Sequence, residues 1–150
     1  MSTYKREISK TVAKRLKEKR HFLQVVIGPR QVGKTTAILQ LQEAFPDSVY
    51  YYSADHPVPP DFRQIEKWWT VANTAGAKVF VIDEIQKIPR WSSMIKLLFD
   101  GSRHDLARPQ IVLLGSSALS VQKGLQESLA GRFEIISAPH WSFSEMATRL

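Results

Sequence analysis

Four segments of this chain are apolar almost without interruption: Phe22 to Ile27, Val49 to Tyr52, Val79 to Ile82 and Ile111 to Leu114. A strand with one wet face alternates apolar and polar residues, so unbroken runs predict parallel strands buried on both faces. A weaker run, Phe133 to Ile136, predicts a fifth. Between the first two runs, Ile38, Leu41 and Phe45 recur at helical spacing and Pro46 stops the segment, which predicts a helix from Gly33 to Phe45. The prolines of His56-Pro57-Val58-Pro59-Pro60 exclude a helix or central strand and imply a loop. A helix follows from about Phe62 to Thr74 and ends at Gly76, a third runs from near Trp91 to before Gly101, and a fourth from Val121 to Leu129. Strands alternating with helices give an α/β layer sandwich.

Near the start of the chain, Ile8, Val12 and Leu16 recur every fourth residue among charges, which predicts a helix over Ile8 to Lys19 with one narrow apolar stripe. At the other end, Ser144-Glu145-Met146-Ala147 begins like a capped helix and breaks off at Leu150, as expected of a piece of a longer protein. Residues 1–20 therefore read as an arm, and 21–150 as one globular domain truncated at its C-terminal side.

Composition narrows the class. With 43% hydrophobic and 23% charged residues, the chain can bury a core and is not a disordered tail. Cysteine is absent, which excludes disulfides, thiolate metal sites and cysteine nucleophiles. No run approaches the ~20 apolar residues of a bilayer span, and residues 1–19 lack a signal-peptide pattern, so a soluble cytoplasmic protein is expected. The net charge of +7 is concentrated: eight lysines and arginines face only Glu7 and Glu18 in residues 1–20. An electrostatic partner, nucleic acid or an acidic protein, would therefore be met by the arm, unless its stripe lies on the core with the lysines solvated. His21, His56, His104 and His140 are scattered and suggest no metal site.

The chemistry is concentrated at the ends of the apolar runs. After the first comes Gly28-Pro29-Arg30-Gln31-Val32-Gly33-Lys34-Thr35, the Walker A spacing, placed between a strand and a helix as phosphate binding requires. Phosphate oxygens need converging backbone N–H groups, which glycines and a helix N-terminus provide. Lys34 then reaches the β- and γ-phosphates, the Thr35 hydroxyl takes a Mg²⁺ position, and Thr36 lies beside the α-phosphate. The third run ends in Asp83-Glu84, a Walker B pair: one carboxylate for Mg²⁺, one to orient and deprotonate the attacking water. The fourth ends in Gly115-Ser116-Ser117, where either serine hydroxyl suits a γ-phosphate sensor, and Ser117 or Ser120 suits a helix cap. Ala130-Gly131-Arg132 brings an arginine before the fifth run, a candidate for neutralising transition-state charge or an ordinary exposed arginine.

In set and order, Gly28 to Thr36, Asp83-Glu84-Ile85-Gln86, Gly115-Ser116-Ser117 and Leu129-Ala130-Gly131-Arg132-Phe133 resemble the prokaryotic AAA-type ATPases usually followed by a C-terminal domain of unknown function. The resemblance covers about residues 20 to 146, including the ending Ser142-Phe143-Ser144-Glu145, while His140-Trp141 departs from the aliphatic-proline run usual before it. It implies a three-layer P-loop NTPase sandwich with a parallel sheet of five strands in the order 5-1-4-3-2. It also implies ATP and Mg²⁺ as ligands, Lys34 and Thr35 at the phosphates and metal, Asp83 at the metal, and Glu84 in hydrolysis. Ser116 or Ser117 would be the sensor, and Arg132 a finger acting in trans within a homo-oligomer. Hydrolysis would drive a change in a C-terminal region or a partner. Two other readings share the phosphate loop: a phosphotransferase acting on a small acceptor, and a DNA-binding module switched by nucleotide, with residues 1–20 doing the binding.

Overall fold

Five parallel strands form one sheet: β1 (Leu23–Ile27), β2 (Val49–Ser53), β3 (Val79–Asp83), β4 (Gln110–Gly115) and β5 (Phe133–Ser137). Their order is β2-β3-β4-β1-β5, which is the expected 5-1-4-3-2 arrangement. The computed structural model describes residues 23–28, 34–102, 104–105, 107–116 and 118–137. The helix expected over Ile8 to Lys19, residues Pro29 to Gly33, Ser117, His21, His140 and the Ser142-Phe143-Ser144-Glu145 segment lie outside them.

The continuous apolar runs are explained by helices on both faces of the sheet. Successive strand residues point to opposite faces. Val26, Val79, Val81, Val112 and Leu114 pack with Ile38 and Leu41 of α1 (Lys34–Ala44), and Phe45 and Val49 close that side. On the other face, Val25, Phe80, Ile82, Ile111 and Leu113 meet three helices: α2 (Phe62–Thr74), α3 (Trp91–Ser102) and α4 (Ala118–Ser128). These three pack side by side in chain order. Three consecutive tyrosines divide by the same parity. Tyr50 and Tyr52 join the α2 side, where Tyr52 stacks on Trp68 with ring centroids 5.0 Å apart. Tyr51 lies opposite, in register with Val81.

Local signals fix the helix ends. Asp61 caps α2 by accepting from the Arg63 and Gln64 N–H groups. At its other end Gly76 adopts φ 75°, and the Gly76 and Ala77 N–H groups return to the Asn73 and Ala72 carbonyls, a Schellman stop. Two expected boundaries are corrected. Helix α3 runs through Gly101 to Ser102, because Gly101 keeps a negative φ and the Ser102 hydroxyl donates back to the Leu98 carbonyl at 2.8 Å. Helix α4 begins at Ala118, three residues before Val121, so Ser120 lies inside the helix and is not its cap. Among the described residues no helix is long and apolar enough to cross a membrane.

Candidate functional site

A parallel sheet brings every strand's carboxyl end to one edge, and the order β3-β4-β1 places three of the singled-out segments side by side there. Gly28 continues β1, is buried, and donates its N–H to the Gly115 carbonyl at 3.0 Å. Lys34, Thr35 and Thr36 are the first three residues of α1, the helix that follows β1 in the chain. Asp83 ends β3, Gly115 ends β4, and Ser116 follows directly after it.

The two acidic neighbours are held differently. Asp83 shares strand parity with Val79 and Val81 on the α1 face. One of its oxygens accepts from the Tyr51 hydroxyl at 2.6 Å, and the other accepts from the Glu84 N–H at 2.8 Å. Burial and this bond raise the Tyr51 phenol well above its usual pKa, so it remains a neutral donor across the physiological range. Glu84 is 4% exposed and has φ 54°, a left-handed conformation that costs a non-glycine residue about 1–3 kcal/mol and persists only where the surroundings enforce it. A short 3-10 turn, Ile85–Lys87, follows, with Ile85 fully buried and Lys87 ion-paired to Asp55 beyond β2.

Glu84 Oε2 accepts two hydrogen bonds, from the Ser116 hydroxyl at 2.8 Å and from the Gln86 amide at 2.9 Å. The same Gln86 nitrogen lies 3.3 Å from Ser116 Oγ. A carboxylate only accepts, so the amide must turn its nitrogen this way. Gln86 Oε1 is left buried with no hydrogen-bond partner among the described residues, at a cost of about 1–3 kcal/mol. Gly115 makes room for this cluster: a Cβ there would sit 3.0 Å from Gln86 Oε1 and 2.5 Å from Val121 Cγ2.

Arg132 is not brought to this edge. It precedes β5, its carbonyl accepts from the Leu23 N–H at the start of β1, and its guanidinium binds Asp100 at 2.8 Å and the Ala130 carbonyl at 3.2 Å. At ~3.3 Å per strand residue, the length of β5 separates it from the acidic edge by roughly 15 Å. His56 and His104 are exposed, and among the described residues no group of three or more His, Asp or Glu side chains is placed to hold a metal.

Two members of the site carry no role in the sequence pattern. Gln86 sits inside the Asp83-Glu84-Ile85-Gln86 stretch, yet only the fold turns it back on Glu84. Tyr51 belongs to no motif. Its signal is the alternation of Tyr50, Tyr51 and Tyr52, which sends the middle ring to the α1 face once the strand register is known.

Comparison with known families agrees with this geometry: a family model described as an AAA domain matches residues 20–147. A comparison with curated proteins gives no match.

Proposed function

The chain belongs to the AAA domain family, whose cores bind nucleotide, and on that footing we propose that it is a Mg²⁺-dependent ATPase. The observation that carries the proposal is the division of labour between Asp83 and Glu84, adjacent in sequence but held by separate partners at the carboxyl edge of the sheet. Mg²⁺ prefers hard oxygen ligands, needs only one or two carboxylates and keeps several waters, so the Asp83 carboxylate and Thr35 hydroxyl suit it without a further acidic cluster. Bound there, it supplies charge neutralisation across the phosphate oxygens.

The remaining work belongs to the chain. In the segment Gly28, Pro29, Arg30, Gln31, Val32 and Gly33, the backbone N–H groups of residues 30–33 serve the phosphates, since proline has none and the Gly28 N–H is held by the Gly115 carbonyl, and Lys34 follows as a compact charge. Glu84 orients the attacking water and accepts its proton, and the Ser116 hydroxyl senses the γ-phosphate. Arg132, remote from its own edge, serves the site of a neighbouring copy. The nucleotide state is then passed as a conformational change to a partner or to a further region of a longer protein.

In a direct test, Glu84→Gln keeps ATP affinity within about twofold and lowers turnover by roughly 10² to 10⁴. Hydrolysis at the parent rate would sink the assignment of Glu84. Lys34→Ala instead weakens nucleotide binding itself, read by titration with a fluorescent ATP analogue.

A further inference from the structure

The two faces of the sheet are not covered alike. The face packed by α2, α3 and α4 takes in β5 through Phe133 and Ile135. On the opposite face, the described apolar cluster joins α1 to β1, β3 and β4 and contains no residue of β5. Gln24 and Glu134 lie on this second face, since Gln24 shares strand parity with Val26 and pairs in register with Glu134. Gln24 is 3% exposed, and its Nε2 donates to Glu134 Oε1 at 2.9 Å. Its own Oε1 is buried with no hydrogen-bond partner among the described residues, and Glu134 has no ion pair among them. A buried amide oxygen closed to water needs a protein donor. The pair therefore presents an acceptor and a carboxylate together near the amino end of β1.

Position in the chain narrows the source of that donor. Of the residues outside the described ones, 29–33, 117 and 138–150 adjoin the carboxyl ends of strands, and 103 and 106 adjoin the end of α3, which packs on the other face. Residues 1–22 run directly into Leu23, the neighbour of Gln24. Residue 20 is four positions from Gln24, so at ~3.5 Å per residue it lies within about 14 Å. Residues 1–20 carry eight lysines and arginines against Glu7 and Glu18, a charge that complements Glu134. Lys19 comes three residues after Leu16, on the side of the expected Ile8, Val12 and Leu16 stripe. A lysine ammonium has three N–H donors, enough for a carboxylate and an amide oxygen together. The AAA domain match begins at residue 20, so a role for the arm does not follow from the family.

We propose that residues 1–20 form an intramolecular cover on the α1 face over β1 and β5, with the apolar stripe toward the sheet and Lys19 on Glu134 and Gln24 Oε1. The arm is then part of the nucleotide-binding core and braces the strand that leads into Gly28, instead of hanging free as a tail for nucleic acid.

Because the chain has no cysteine, a reactive pair can be introduced into it without background. Lys19→Cys with Glu134→Cys is joined by a short bis-maleimide about fivefold or more faster than Lys19→Cys with Leu97→Cys, the proximity raising the effective concentration of the second thiol. Leu97 is the control because it is 64% exposed on α3, over the opposite face. The product is a cross-linked monomer, and its rate of formation per molecule does not change with protein concentration. Equal rates for the two pairs overturn the cover. Products that join two chains and grow with concentration overturn its intramolecular form.

A second measurement reads the charged contact through trypsin cleavage after Arg15. Glu134→Lys sets a like charge against Lys19 and quickens this cleavage about threefold or more, and adding Lys19→Glu returns it to within about twofold of the parent, because the exchanged charges attract again. Should Glu134→Lys not fold, Glu134→Gln gives the same direction with a smaller effect. Cleavage that is not quickened, or that Lys19→Glu does not slow again, refutes the contact with Glu134. A free nucleic-acid tail is recognised by a different pair of results: equal cross-linking in the two cysteine pairs, and affinity for a DNA duplex that falls when Lys10 and Lys14 are replaced by alanine.

Discussion

At the carboxyl edge of the sheet, Glu84 is 4% exposed and its carboxylate is gripped by Ser116 and Gln86. At the amino edge, Arg132 meets Asp100 at 2.8 Å with side chains 29% and 38% exposed. Both ends hold a charged group by hydrogen bonds, but burial changes what those bonds are worth. A hydrogen bond to a buried charged group contributes about 1.5–3 kcal/mol, and losing it strands the charge, whereas a pair open to solvent is worth about 0–1 kcal/mol. The acidic edge also has a left-handed Glu84 and an amide oxygen, Gln86 Oε1, with no hydrogen-bond partner among the described residues. The amino edge is not free of such strain, since Asp47 before β2 has φ 56° and Gln24 Oε1 near the start of β1 is likewise buried without a hydrogen-bond partner among the described residues. What separates the two edges is therefore the burial of the charged group itself.

The sharpest way to break this contrast is Gly115→Ala. The added methyl would lie 2.5 Å from Val121 Cγ2 and 3.0 Å from Gln86 Oε1, on a residue that also ends β4. Overpacking of this kind costs roughly 1–3 kcal/mol, read as a lowered denaturation midpoint, with turnover falling as Gln86 is pushed from Glu84. Adding Val121→Ala recovers part of the stability but not the turnover, because the clash with Gln86 remains. A Gly115→Ala protein with parent stability and rate would mean that the acidic edge is no more constrained than the other.

Next in size is Tyr51→Phe. The phenol donates to Asp83 at 2.6 Å, and on the proposal that Asp83 takes Mg²⁺ a hydrogen bond of this kind fixes the carboxylate's orientation. Loss of such a partner weakens metal affinity about 10- to 100-fold, so the Mg²⁺ concentration for half-maximal turnover rises by that factor while metal-free nucleotide binding is unchanged. An unaltered Mg²⁺ requirement would reduce Tyr51 to a packing residue of β2.

These two residues also show where sequence reading stops. The strands were legible because helices on both faces leave no polar alternation, as in Val79 to Ile82, and the strand order followed from resemblance to a known family. Gly28, Asp83 and Gly115 were legible as edge positions because each lies at the end of an apolar run and parallel strands carry all such ends to one edge, whereas the sequence did not choose between Ser116 and Ser117. Tyr51 was not, since its bond joins residues 32 positions apart and exists only in the register that pairs Tyr51 with Val81. The bond from Gln86 back to Glu84 depends on a left-handed residue that no local propensity predicts. The continuation of α3 through Gly101 shows the opposite error, in which a glycine signal was overridden because the chain needs no left-handed turn there.

The smallest effect belongs to the amino edge. Asp100→Ala releases the Arg132 side chain and lowers stability by at most about 1 kcal/mol, since the pair is solvent-screened. Arg132→Ala does the same to stability, and in dilute solution, where copies are apart, it leaves turnover per molecule unchanged, because ~15 Å of strand separates it from its own acidic edge. Measured across protein concentration, the parent and Arg132→Ala rates therefore coincide at the dilute limit and diverge only where neighbours meet. A loss of turnover already present at the dilute limit would place Arg132 in its own site and require the two edges to communicate through the sheet.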